Sequence, residues 1–303
     1  MISKLLLIIL LPFTHLLIGQ QEISDGDVKV VFPPRLRIQA ETSLKLYKLS
    51  ASKVKNGTGL PDPEHVTIEL ADTETGFWSA YKRHGGRDKP EHALAVAFSP
   101  SNVVLVRTSH LKGIGPGNLP ETLVHETFHL YIGAALAKVN LRIPLWFNEG
   151  VAQWIAGQQA NNTLANILRA RAKGGKIPTF ETLSAKFPGK GEEISLAYAQ
   201  SLLFVEWLEK RRRGTVKKII SRLQRGEPFE AALRGETGQN LPYLQKAFFS
   251  ELASEQSFLR SFLSQMTLFS ILSLVALAAF VRYLVKRKRI RRKLEREEEN
   301  GYW

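Results

Sequence analysis

Val124-His125-Glu126-Thr127-Phe128-His129-Leu130 comes first, and Trp146-Phe147-Asn148-Glu149-Gly150-Val151-Ala152 follows it. Two histidines four apart share one face of a helix, so both imidazoles can reach one ion. Glu126 sits beside the first of them, where a carboxylate can take a proton from water on a metal. Glu149 offers a third ligand, which leaves one coordination position to water and distinguishes a catalytic zinc site from a closed structural one. The neighbours Leu123, Val124, Phe128, Leu130 and Ile132 are apolar and place both histidines on a buried helix. Two ordinary buried histidines are the bland alternative, but unpartnered imidazoles there are costly unless something uses them.

The rest of the 303-residue chain narrows this reading. It holds no cysteine, which excludes a disulfide framework, a thiolate-bound zinc and a cysteine nucleophile. Any metal must be held by histidine and carboxylate. The hydrophobic share of 44% is enough for a buried core. The net charge of +14 is partly a tail effect, since residues 282–303 hold nine Lys/Arg and four Glu, a net of +5. Nucleic acid is not the expected partner of that tail.

Moving outward from the metal pattern, the text before it reads as mixed strand and helix. Val28–Phe32, His65–Leu70, Ala93–Phe98 and Asn102–Arg107 are strand candidates, the last two as a hairpin around Ser99-Pro100-Ser101. Thr42–Val54 carries a helical stripe that ends at Asn56-Gly57. The connector Gly113-Ile114-Gly115-Pro116-Gly117 lacks the Gly-Lys-Ser/Thr of a phosphate cradle and reads as a flexible loop. A helix is expected from Asn118 or Pro120 to about Val139, and a second from near Asn148. Further helices are expected at Leu196–Arg212, Val216–Leu223, Pro228–Leu233 and Pro242–Leu252. Strands first and helices later imply an α+β fold.

Both ends carry apolar runs. Residues 1–19 begin with Lys4, continue through Leu5–Leu11 and reach Gly19, which reads as a secretory signal peptide, with an uncleaved anchor as the alternative. Phe262–Val281 is 20 residues without charge, the length of a bilayer-crossing helix. Arg282, Lys286, Arg287, Lys288 and Arg289 follow, and basic flanks stay in the cytoplasm. The expected topology is single-pass, with the chain between 20 and 255 on the extracytoplasmic side. The span is taken as 262–285 and the basic tail as 286–303. The bilayer is then one partner and a protein or peptide substrate the other, while oligomeric state is open.

His125–His129 followed by Trp146–Ala152 resembles the gluzincin metallopeptidases, the thermolysin-like and alanyl-aminopeptidase-like enzymes. It is most similar to the peptidase MA-like group, in which a Tyr-Ala-Gln-Ser helix follows; here that is Tyr198-Ala199-Gln200-Ser201. The resemblance implies a zincin-like catalytic domain over 20–255. It also implies Zn2+ held by His125, His129 and Glu149, and Glu126 as general base. Tyr198 is then the candidate donor to the tetrahedral oxyanion, or else a packed helix tyrosine. Asn148 and Gln153 are candidates for orienting the ligands. Alanyl-aminopeptidases carry a Gly-x-Met-Glu-Asn segment for the free amine, and Gly113–Asn118 stands in its place, which argues against aminopeptidase activity. The strand Asn102–Arg107 is expected to offer its edge to an extended substrate. The alternative is a catalytically inactive peptidase-like binding module at the membrane surface.

Overall fold

The computed structural model describes residues 19–87, 93–110, 119–188, 191–254 and 257–301. The fold is α+β, as the order of strands and helices implied. Five strands form one sheet: β1 (Gln21–Asp25), β2 (Val28–Phe32), β3 (Val66–Ala71), β4 (Ala95–Phe98) and β5 (Val103–Arg107). Their spatial order is β1-β2-β3-β5-β4. β2, β3 and β5 run parallel, while β1 and β4 are antiparallel edges.

The middle strands are buried on both sides, which explains their continuous apolar text. Val30, Ile68, Val104 and Val106 have no exposed surface. Strand β1 lay outside the sequence expectation. All but one of its residues are exposed, so it lacks the apolar alternation that marks a half-buried strand. Its place comes from antiparallel pairing with β2, from Gln21 opposite Phe32 to Asp25 opposite Val28.

Helix α1 (Arg37–Thr58) makes the crossover from β2 to β3. It is longer at both ends than its apolar stripe, because Ala40, Ser43 and Ser50 join Tyr47 and Val54 on the buried face. Small residues at i, i+3 and i+4 let it lie close to its neighbours. It stops at Gly59, whose φ of 73° suits a left-handed cap and whose N–H reaches Lys55 O. Helix α2 (Glu74–Arg83) had not been expected either. Thr73 caps it by accepting the Gly76 N–H at 3.0 Å, and Phe77 and Ala80 bury its inner face against Ala71 and Leu105.

Helix α3 (Leu119–Ala137) packs on α1 and β4, and α4 (Leu145–Ala156) packs on α3. Further on come α5 (Asn162–Lys173), α6 (Thr182–Ala185), α7 (Glu192–Arg211), α8 (Thr215–Gln224), α9 (Phe229–Thr237) and α10 (Leu241–Ser254). Trp146 of α4 lies at the centre of an aromatic cluster with Phe180, Phe204 and Phe229, at ring separations of 4.8, 5.2 and 5.6 Å. Rings at such separations add to area burial.

Gly150 lets α4 and α7 touch backbone to backbone. A Cβ there would lie 2.6 Å from Ser201 O and 2.9 Å from Val205 Cγ2. Gly150→Ala is therefore expected to destabilise the protein by about 1–3 kcal/mol through overpacking, against the ~1 kcal/mol that alanine gains in a helix. A denaturant titration checks this; an unchanged or raised midpoint would show that the two helices part freely.

The chain divides into two compact units, one of residues up to 165 with 177–248, the other of 166–176 with 249 onward. The second contains α11 (Ser257–Asn300). The expected membrane span at 262–285 is not found there: among the described residues no helix is long and apolar enough to cross a membrane. The signal peptide read at 1–19 and the loop at Gly113–Gly117 lie outside the described residues, save Gly19.

Candidate metal centre

Helix α3 carries His125, Glu126 and His129 on the face toward β4 and α4. The helix is apolar nearly all round, with Leu123, Phe128 and Leu130 fully buried, so the three polar side chains are held without freedom to turn away. Helix α4 starts three residues before the expected point. Pro144 and Leu145 provide its beginning, with Phe147 N–H and Asn148 N–H both donating to Pro144 O. Asn148 is thus inside the first turn rather than capping it, and its side chain is available elsewhere.

The structure brings His125, His129 and Glu149 together, with one ligand atom from each within 4.8 Å of the others. Both Nε2 atoms converge on Glu149 Oε2, at 3.3 Å from His125 and 3.6 Å from His129. All three side chains are largely buried, 13–15% exposed. Two nitrogens and one oxygen aimed at a single point suit a divalent ion that accepts imidazole and carboxylate. Asn148 Oδ1 lies 3.1 Å from His129 Nδ1, so that ring donates through Nδ1 and leaves Nε2 free to hold a metal. Gln153 does not orient a histidine. Its amide donates to the carbonyls of Glu149 and Tyr198, each at 3.2 Å, and so ties α4 to α7.

Glu126 is held differently. Its Oε2 accepts the Ala97 N–H at 2.8 Å, a main-chain group on the edge strand β4. Two residues on, Ser99 Oγ donates to His129 O at 2.9 Å. A Cβ on Gly133 would lie 2.3 Å from Ser99 Oγ, so the glycine lets this strand end sit against α3. Neither Ala97 nor Ser99 was expected in the site. A backbone N–H leaves no trace in residue type, and the small side chains of Ala95 and Ala97 were the one available hint.

The strand expected to face substrate is corrected here. Strand β5 lies between β3 and β4 and is buried throughout, so its hydrogen-bonding groups are already paired. β4 is the edge that borders the site. A cleft of about 800 Å3 runs along it, lined by His125, Glu126, His129, Glu149 and Tyr198. A second hollow of about 330 Å3 continues on the other side of Glu126. Tyr198 lines both, with Phe187 packed edge-on against its ring at 4.9 Å.

Charge and burial tune these groups. Burial pushes the Glu126 carboxyl above its ordinary 4.5, aided by Glu149 and opposed by the two histidines and the Ala97 N–H. Burial favours neutral His129, but the Glu149 carboxylate outweighs it and carries the ring up to about 9. Glu149 shows the converse: burial raises it, and the facing imidazoles hold it well below the usual carboxylate range. Burial, then the Glu149 and Glu126 carboxylates, keep the Tyr198 phenol protonated and able to donate.

A family model described as Peptidase MA superfamily matches residues 87–254. The chain belongs to this superfamily. No curated protein matches the chain. The Peptidase MA match begins after β3 and takes in β4, β5 and α3 to α10, so it covers every residue of the metal group and the edge strand beside it. The strands β1, β2 and β3 and the crossover helix α1 precede it. Membership supports a peptidase kind of hydrolase, a class that is typically metal-dependent, and the His-His-Glu group is where this chain could hold the ion.

Proposed function

We propose that this chain is a zinc-dependent metallopeptidase. The observation that carries the reading is the convergence of His125, His129 and Glu149 within 4.8 Å, with Glu126 beside them on α3 and hydrogen-bonded to the edge strand. A bound zinc ion would acidify water at its open position and polarise a peptide carbonyl. Glu126 takes a proton at its carboxylate and returns it to the leaving amine. A carboxyl raised by burial is better matched to that exchange than an exposed one. The outer edge of β4 pairs with the extended backbone of a substrate through the groups that Glu126 leaves open, as strand addition does elsewhere. β4 and the residue after it run along α3, with Ala97 meeting Glu126 and Ser99 meeting His129. An antiparallel substrate therefore enters with its N-terminal part beside Ser99 and leaves past Ala93.

Zinc analysis of the full-chain protein together with hydrolysis of casein tests the reading. One ion per chain, and activity lost to a chelator and restored by zinc, is the expected result. A protein without stoichiometric metal would overturn it.

Tyr198 donates its phenol hydrogen to the oxygen that gains charge during attack. Tyr198→Phe is expected to lower kcat by roughly 10- to 1,000-fold with little change in KM, as for loss of one such donor. Equal kinetics in the variant would leave Tyr198 a packing residue.

Attachment to a bilayer, with the catalytic unit outside the cytoplasm, is supported by sequence: the uncharged run 262–281, the basic residues after it, and the apolar start of the chain. Leu274, Val275 and Leu277 of α11 are each more than half exposed, as side chains that face lipid or a partner would be.

A further inference from the structure

We propose that Arg142 makes the cleft select polypeptide segments in which an acidic side chain stands beside an aliphatic one. The inference rests on the peptidase reading for its claim that a polypeptide occupies the cleft.

Beyond His129 the cleft changes character. Its walls there are Ile132 and Leu136 of α3 with Leu141 and Ile143 of the turn that follows. These apolar groups suit an aliphatic side chain. Arg142 stands between Leu141 and Ile143, lines the same cleft and is exposed. It is the only lysine or arginine among the described residues that line either cavity. On the opposite side of Glu126 the smaller hollow offers Thr122, Gln153 and Gln158, which are polar but uncharged. Among the described residues the cleft is thus polarised along its length, with positive charge at one end.

The turn that carries Arg142 is fixed by its own backbone. Val139 N–H and Leu141 N–H both donate to Leu136 O, at 3.2 and 3.1 Å, and Asn140 N–H donates to Ala137 O at 3.2 Å. Asn140 takes a left-handed φ of 52°, a conformation asparagine tolerates better than most residues. Pro144 then starts α4 and fixes the far side of the turn. Among the described residues no carboxylate pairs with Arg142. The other charged groups of the cleft are occupied, Glu149 with the two histidines and Glu126 with the Ala97 N–H. A guanidinium on this turn, without a carboxylate partner among the described residues and flanked by apolar walls, is arranged to meet a carboxylate from outside, and its planar fork favours two parallel hydrogen bonds. With the substrate antiparallel to β4, the acidic residue lies on the N-terminal side of the scissile bond.

Binding separates this from catalysis. Fluorescent peptides with a central Leu–Asp, Leu–Asn or Leu–Lys pair would be titrated by anisotropy into the full-chain Glu126→Gln protein, whose expected turnover is too slow to deplete them during the titration. The Leu–Asp peptide is expected to bind about five- to tenfold tighter than Leu–Asn, and less so as salt rises. Arg142→Glu should reverse the order in favour of Leu–Lys. Arg142 is exposed, so its replacement leaves the core intact, and thermal melts of both proteins verify that. Equal binding of the Asp and Asn peptides, a preference that survives Arg142→Ala, or no peptide binding at all would overturn the inference. Zinc content and casein hydrolysis of the unsubstituted protein report on the peptidase reading separately. An active, zinc-loaded protein whose selection ignores Arg142 would overturn this inference alone.

Discussion

Glu126→Gln is expected to lower kcat by about a thousandfold, within the range typical for loss of a positioned acid–base group. The amide keeps the shape of the side chain, and its oxygen can still accept the Ala97 N–H, so β4 stays against α3. It cannot take or return a proton. Metal content should persist, because His125, His129 and Glu149 are untouched. The pH profile carries a second signature. Glu126 must be ionised to act, so activity of the unsubstituted protein should fall on acidification as its carboxylate takes a proton. The residual activity of the variant should lack that limb. Stability moves the opposite way. A carboxyl whose folded pKa exceeds its unfolded one favours folding at low pH and loses that contribution as pH rises through the folded value. At neutral pH ionised Glu126 therefore opposes folding, and the metal-free Gln variant should melt higher than the metal-free parent. Activity within tenfold of the parent would remove Glu126 from the proton-transfer role.

These expectations differ in where they come from. The group that could hold a metal was legible in the chain because chemistry restricts both residue type and spacing: two imidazoles one helical turn apart, then a carboxylate on the next helix. The α+β class was legible because apolar runs before residue 110 are short and later ones are long. The groups that hold Glu126 in place were not. Ala97 contributes only a backbone N–H, and its position depends on β4 lying at the sheet edge. That edge follows from the crossovers β2 to β3 and β3 to β5, which pair strands far apart in sequence. Local text marks Ala93–Phe98 and Asn102–Arg107 as a hairpin without saying which strand has the sheet beyond it. The choice of Asn102–Arg107 as the exposed edge failed at that point.

Helix starts show the same limit on a smaller scale. Asn148 has the composition of a cap, and the sequence reading placed a helix start there. Pro144 starts α4 instead, and this frees Asn148 Oδ1 to fix the His129 ring. Gln153 has the spacing of a ligand-orienting residue, yet it binds two backbone carbonyls, Glu149 O of its own helix and Tyr198 O of α7, which passes close enough to reach. That closeness depends on Gly150. A residue's polar atoms are visible in sequence; which neighbour reaches them first is decided by packing.

His129→Ala is expected to abolish stoichiometric metal binding and, with it, most of the metal's contribution to stability. An ion bound only by the folded chain adds about 4 kcal/mol at a thousand times its dissociation constant. The metal-free parent has its own pH dependence from the same residue. Burial disfavours the charged ring, but Glu149 more than compensates and raises His129 from 6.5 to about 9. A raised folded pKa means that the stabilisation is complete below 6.5 and disappears as pH climbs through about 9, an effect of roughly 3 kcal/mol. The melting temperature of chelator-treated parent should therefore decline between those values. Metal competes with the proton at the same ring, so affinity should rise over the same interval as uptake releases protons. In His129→Ala the decline is absent, Asn148 Oδ1 loses its partner, and Glu149 keeps only His125. Thermal melts from pH 6 to 10, with and without chelator, measure all of this at once. A metal-free parent with a flat profile, or a parent whose melting ignores the chelator, would separate His129 from the metal site.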